Sequence, residues 1–148
     1  MSKVIALACA AICAGAPLIA GPDRISILLG SEHFGSGGFE EFNPGLFATW
    51  EGTRADFSLG AYRNSYAGTS VAVSAALPLA EWETGALDAF AALAYYDNAD
   101  DIARYHFGDI VPLAGLQLRQ GFVFAQFVPM DGAPVDALLT FGITFPLN

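Results

Sequence analysis

Leu59-Gly60-Ala61-Tyr62-Arg63-Asn64-Ser65-Tyr66-Ala67-Gly68-Thr69-Ser70-Val71-Ala72-Val73-Ser74-Ala75-Ala76-Leu77 carries the pattern on which the fold turns. On the way into its polar centre, Ala55, Phe57, Leu59 and Ala61 alternate with Asp56, Ser58, Gly60 and Tyr62. On the way out, Val71, Val73, Ala75 and Leu77 alternate with Ser70, Ala72, Ser74 and Ala76. A strict period of two over this length predicts two strands, each with one apolar face and one small or polar face. Arg63, Asn64 and Ser65 form the turn between them, set between Tyr62 and Tyr66.

Six more segments of strand character surround this pair. They run from Arg24 to about Glu32, Gly45 to Glu51, Gly85 to Tyr96, Ile110 to Leu118, Gly121 to Val128 and Val135 to Phe145. The connections alternate in length. Glu51 to Arg54, Pro78 to Thr84 and Arg119 to Gly121 are short or moderate, whereas Glu32 to Pro44 and Tyr96 to Asp109 are long and polar. Small outer-membrane barrels show this asymmetry. The expected fold is therefore all-β, an eight-stranded antiparallel up-and-down transmembrane barrel. In such a barrel every second connection emerges at the same end, so His33 in loop one and Asn64-Ser65 in loop two share one rim.

Composition agrees with a membrane barrel. The 148 residues suffice for one domain, and they are 54% hydrophobic and only 14% charged. Mean hydropathy is +0.46. After the N-terminus no run approaches the roughly 18 apolar residues of a membrane helix. Residues 1–20 read as a signal peptide, with Lys3 as its positive end, Val4 to Cys13 as its apolar core and small residues near its exit. Residues 21–148 are then the single barrel domain. Cys9 and Cys13 both fall in the leader, which leaves the remainder without disulfide, thiolate or Cys-ligated zinc chemistry. That remainder has five arginines, no lysine and fifteen acids, a balance that argues against a nucleic-acid partner.

The inward parity is unusual for a membrane barrel. Ser70, Ala72, Ser74 and Ala76 on the fourth segment and Ala92 and Ala94 on the fifth are small and uncharged. Eight strands leave an interior that side chains fill or that holds one small ligand. Small linings either relieve crowding or leave a narrow apolar slot suited to an acyl chain.

With these features in place, the chain resembles the PagP family of outer-membrane phospholipid:lipid A palmitoyltransferases. The resemblance rests on Glu32-His33-Phe34, on Asn43-Pro44-Gly45-Leu46-Phe47 and on Tyr62-Arg63-Asn64-Ser65-Tyr66. It rests further on Val111-Pro112-Leu113-Ala114, on Gln126-Phe127-Val128-Pro129 and on the aromatic closing segment Leu138 to Phe145. These cover residues 31–148 in the family's order. The resemblance implies a lumen-held acyl chain and a rim His, Asp and Ser required for activity. By position the catalytic residues are His33, Asn64 and Ser65, with Ala76 or Ser74 nearest the site that measures the chain. It implies further that prolines flank gaps where lipid enters sideways. Pro44, Pro112 and Pro129 fit, since proline removes a ladder donor. Position 64 departs from the family, because Asn cannot compensate charge as Asp does. Residues 17–24 are also too few for the family's N-terminal amphipathic helix.

The residues themselves leave several roles open. His33 is a general base or orienting group, or an exposed loop histidine. Ser65 is a nucleophile, a lipid headgroup contact, or a cap of its own turn. Arg63 suits a phosphate, or is a solvated rim charge. Asp97, Asp100 and Asp101 could gather a divalent cation, though a solvated loop explains them as well, and His106 lacks convergent ligands for a metal site. Trp50, Trp82, Tyr95 and Tyr96 fall near strand ends, where membrane barrels place aromatic girdles. The expected protein is a monomeric outer-membrane acyltransferase whose partners are phospholipid and lipid A, with no cofactor and no metal. The rival readings are a non-catalytic outer-membrane barrel and a soluble lipocalin-like lipid carrier.

Overall fold

The computed structural model describes residues 20–99, 103–130 and 135–147. Residues 1–19 of the predicted leader, Asp100 and Asp101 lie outside these residues. Eight strands form in chain order: β1 (Arg24–Gly35), β2 (Gly45–Trp50), β3 (Asp56–Arg63), β4 (Thr69–Trp82), β5 (Gly85–Tyr95), β6 (Ile110–Gln120), β7 (Val123–Pro129) and β8 (Val135–Pro146). Each pairs antiparallel with its neighbours in sequence, and β1 pairs with β8, so the sheet closes into a barrel. The two strands read from the opening stretch pair from Asp56↔Ala76 to Arg63↔Thr69.

Closure divides every strand into an inner and an outer row. The inner row carries Ser26 and Leu28 on β1, Phe47 and Thr49 on β2, Asp56, Ser58 and Tyr62 on β3, and Ala72, Ser74 and Ala76 on β4. It continues with Phe90 and Ala92 on β5 and with polar Gln117, Arg119, Gln126, Thr140 and Thr144 on β6 to β8. The outer row is apolar, with Leu46, Leu77, Leu79, Leu93, Leu116, Leu118, Phe127 and Phe141 all exposed.

Two elements are longer than their sequence patterns predict. β1 runs on to Gly35, which places His33 in the strand opposite Leu138 and not in loop one. A bulge between Leu28 and Gly30 makes this possible and shifts parity, so that Ser31 continues the inner row. Gly30 is required at that point, because a Cβ there would lie 2.6 Å from the Glu41 carbonyl oxygen. β4 likewise continues through Pro78 to Trp82, with a bulge between Pro78 and Ala80 absorbing the missing donor. The expected Pro78–Thr84 connection thus shrinks to residues 83–84.

The inner row also carries charge that the small residues of β4 and β5 do not announce. Arg119 on β6 reaches across the bore to Asp56 on β3, at 3.7 Å, and contacts Asp88 on β5 at 3.3 Å. Gln117 donates to Asp88, Gln126 to Gln117 and Thr140 to Gln126, extending the network over β5 to β8. Tyr96 is a second inward correction. It is buried, and its hydroxyl meets that of Tyr62 at 2.7 Å, so it belongs to the interior and not to a surface girdle. Trp82, by contrast, is exposed at the turn end of β4, its indole N–H donating to Gln120.

Removing Arg119 would leave the buried Asp88 carboxylate without its counter-charge, with Gln117 still donating to it. Arg119→Leu should therefore cost about 3–5 kcal/mol, read as a lower urea midpoint for the barrel folded in detergent. Arg119→Gln combined with Asp88→Asn should recover most of that loss. An unchanged midpoint for Arg119→Leu would show that the network carries no such weight.

Candidate functional site

The loops after β1, β3, β5 and β7 gather at one end of the barrel, and the short turns and the end of β8 at the other. His33 and Ser65 therefore lie at the same end. At that end loop one (residues 36–44) folds back against β1 and loop two (residues 64–68). The Ser31 amide donates to the Glu41 carbonyl, the Glu40 amide to the Ser65 carbonyl and the Arg63 amide to the Pro44 carbonyl. Outside the rim, Arg63 grips Glu40 through two hydrogen bonds of 2.8 and 2.9 Å. Those bonds draw the exposed Glu40 carboxyl below its ordinary pKa and raise the Arg63 guanidinium.

His33 stacks on Phe39 of loop one, with ring centroids 4.4 Å apart and planes 18° from parallel. Phe39 in turn meets Tyr66 of loop two edge-on. The His33 Nδ1 is buried without a hydrogen-bond partner. Phe39 thus links the imidazole to the loop that carries Ser65.

Asn64 is almost wholly buried, with 1% exposed. Its Oδ1 accepts from the amides of Tyr66 and Gly68, and its Nδ2 donates to Ser70 Oγ, each at 3.0 Å. With the Asn64 amide donating to the Gly68 carbonyl, this side chain organises the whole turn, an Asx-type arrangement. Ala67 completes the turn with a left-handed φ of 65°. The carboxamide is thereby committed to shaping loop two and displaying Ser65.

Ser65 faces a cavity that runs the length of the barrel. Its lining includes Ser65, Ser31 and Asn43 at the loop end and Arg24 and Asp56 at the turn end. The volume open to the centre of a water molecule is about 120 Å³. Ser74 and Ala76, the small residues singled out on β4, both line it, as do Ala72, Phe90, Ala92 and Leu113. Ala72, Ala76, Phe90 and Ala92 face Leu113, Val128 and Leu138 across the bore, and Gln117, Arg119, Gln126, Thr140 and Thr144 supply its polar lining.

Asn43 is the residue that sequence reasoning passed over. It is buried, with 2% exposed, and it lines the mouth of the cavity. Ser31 Oγ donates to its Oδ1, and its Nδ2 donates to Ser65 Oγ at 3.4 Å. Only its place beside Pro44 marked it in the sequence; proline holds the preceding residue extended.

The prolines sit beside two places where the ladder stops short. β1 and β2 pair only from Arg24↔Thr49 to Leu28↔Gly45, with Pro44 just beyond. β6 and β7 pair from Gln120↔Val123 to Leu116↔Phe127, and Pro112 and Pro129 lie past that point. In the loop after β5, at the same end, His106 bonds the Gly108 carbonyl through Nδ1, and Arg104 lies 5.6 Å over the Tyr105 ring. Among the described residues no group of three His, Cys, Asp or Glu could hold a metal ion. Comparison of the sequence with models of known families and with characterised proteins finds no match.

The lowered carboxyl of Glu40 fixes a sign. Its pairing with Arg63 stabilises the folded rim fully above the ordinary carboxylate pKa, about 4.3, and that contribution is lost as pH falls through the lower folded value. Amide exchange in residues 38–44 should accelerate below about pH 4 relative to Glu40→Gln, in which the tether is weakened at every pH. Parallel exchange in the two proteins across this range would show that the pair does not hold loop one.

Proposed function

We propose that the protein is an outer-membrane acyltransferase that moves a fatty acyl chain from a phospholipid to lipid A or a similar hydroxyl-bearing lipid. The observation that carries the reading is the cavity: a bore lined by small residues along β4 and by Phe90, Ala92 and Leu113 on β5 and β6, with Ser65 at its loop end and a histidine at the same end. The outer row supports membrane placement. From Leu87 to Tyr95 on β5, and from Val71 to Leu79 on β4, no outward-facing residue is charged. Eight residue steps at the usual rise and tilt give roughly 20 Å of apolar height, close to that of membrane barrels. A soluble carrier would face water with this surface, which makes the lipocalin reading the weaker one.

In this mechanism the acyl chain lies along Ala72, Ser74, Ala76 and Ala92, with its ester at Ser65. The acceptor hydroxyl attacks the ester carbonyl and gives its proton to His33. The Ser65 hydroxyl donates to the carbonyl oxygen as it gains charge. Asn64 holds the turn that presents Ser65, and Arg63 is the rim cation for lipid phosphate once it leaves Glu40. The short ladders beside Pro44 and beside Pro112 and Pro129 are the sideways entries for lipid.

Expression in a host that makes lipid A tests the reading by mass. The extracted lipid A should gain one acyl chain, and His33→Ala and Ser65→Ala should each lower the rate about 10²-fold or more. Ala76→Leu should shorten the chain transferred. An unchanged mass beside a barrel whose gel mobility still shifts on boiling would favour the non-catalytic barrel. Recovery wholly in the soluble periplasm would favour the carrier.

A further inference from the structure

We infer that Asn43 is a further catalytic residue at this site, donating its free amide hydrogen to the ester carbonyl oxygen, and that Ser31 is the positioning residue that aims it. The inference rests on the acyltransferase reading above. Asn43 and Ser31 are among the few fully buried polar residues at the loop end, 2% and 4% exposed, and both line the cavity mouth. Burying a carboxamide against a bore is costly unless its groups are used. Ser31 Oγ donates to Asn43 Oδ1, which leaves the amide nitrogen on the Ser65 side. That nitrogen points to Ser65 Oγ at 3.4 Å and carries two hydrogens, of which Ser65 takes one.

The consequence for Ser65 is chemical. Its oxygen accepts from Asn43, so its own hydrogen is released for another acceptor. A carbonyl oxygen placed against Ser65 would meet two neutral donors, the hydroxyl of Ser65 and the second N–H of Asn43. As the acceptor oxygen bonds to the carbonyl carbon, the carbonyl π pair moves onto that oxygen, and the acceptor's proton goes to His33. Collapse of the tetrahedral adduct breaks the bond to the lysophospholipid oxygen, which takes the proton back from His33. Preorganised donors aimed at the developing oxyanion act mainly on the transition state.

The scaffold holds this amide still. Pro44 follows it, the Pro44 carbonyl is tied to the Arg63 amide, and the Glu41 carbonyl is tied to the Ser31 amide. Two backbone bonds thus fix the loop on either side of Asn43. This differs from a turn cap, since neither side-chain contact of Asn43 is local in sequence: Ser31 is 12 residues away and Ser65 is 22.

The test is steady-state transfer from phospholipid vesicles to lipid A by the full chain folded in detergent. Asn43→Asp keeps the shape and the contact from Ser31 but removes the donor. It should lower kcat about 10²-fold or more with KM within about twofold. Ser31→Ala should lower kcat less, and Ser31→Thr should restore it; this pair decides the matter if Asn43→Asp does not fold, as judged by gel mobility before and after boiling. An active wild type with an equally active Asn43→Asp, or a loss confined to KM, overturns the role of Asn43 alone. A folded wild type that transfers nothing overturns the acyltransferase reading, and the role of Asn43 with it.

Discussion

The whole molecule depends on the ladder between β1 and β8. It runs from Arg24↔Pro146 to Gly35↔Val135 and turns an eight-stranded sheet, otherwise open at two edges, into a cylinder. Without it, two rows of backbone N–H and C=O groups would lack partners, the condition that excludes open sheets from an apolar solvent. Closure also fixes which row of every strand is enclosed. That decides, in one step, that Ser74 and Ala76 line a cavity and that Leu77 and Leu79 do not.

Alternation along each strand was legible because an outer row of Val, Leu and Phe contrasts with an inner row of Ala, Ser and Thr. The bulges were not legible. At Gly30 the parity shift follows from the return of loop one, whose Glu41 carbonyl bonds the Ser31 amide, a contact between residues that no periodicity relates. The interior charges were hidden for another reason. An inner polar residue and a solvated one look alike in sequence, so Asp88 among the alternating residues of β5 carried no sign that Arg119 would pair with it. Only register across three strands brings Asp56, Asp88 and Arg119 together. Asn43 was missed on the same ground, as a loop residue whose partners lie on β1 and in loop two.

The cavity lining is of two kinds. Ala72, Ala76 and Ala92 offer methyl surface alongside Leu113, Val128 and Leu138, while Asp88, Gln117, Gln126 and Thr140 form a chain of polar groups already bonded to one another. Satisfied polar groups of this kind present little demand to a ligand and resist rearrangement. The bonded polar chain therefore serves as a rigid frame, and the small apolar residues as the surface that can be filled. Tyr62 and Tyr96, joined hydroxyl to hydroxyl, lie next to Ala72 and Phe47 and narrow the same space from the loop side.

The rim chemistry follows from where charge has been placed. Arg63 and Glu40 neutralise each other on the outside, and His33 stacks on a phenyl ring with Nδ1 unpartnered. Asn64, which the PagP resemblance sets at the place of an Asp, uses the position specifically: it both accepts two backbone amides and donates to Ser70. An ionised carboxylate can accept but not donate, so exchanging it for a carboxamide trades a charge for a better-knit turn. On the proposed acyltransferase reading, a rim organised this way would stabilise a developing negative oxygen with dipoles. In a buried mouth that is sufficient, because neutral donors already fixed in place need no reorganisation as charge develops. Asn43 and Ser65 are the two neutral donors that the fold brings to that mouth.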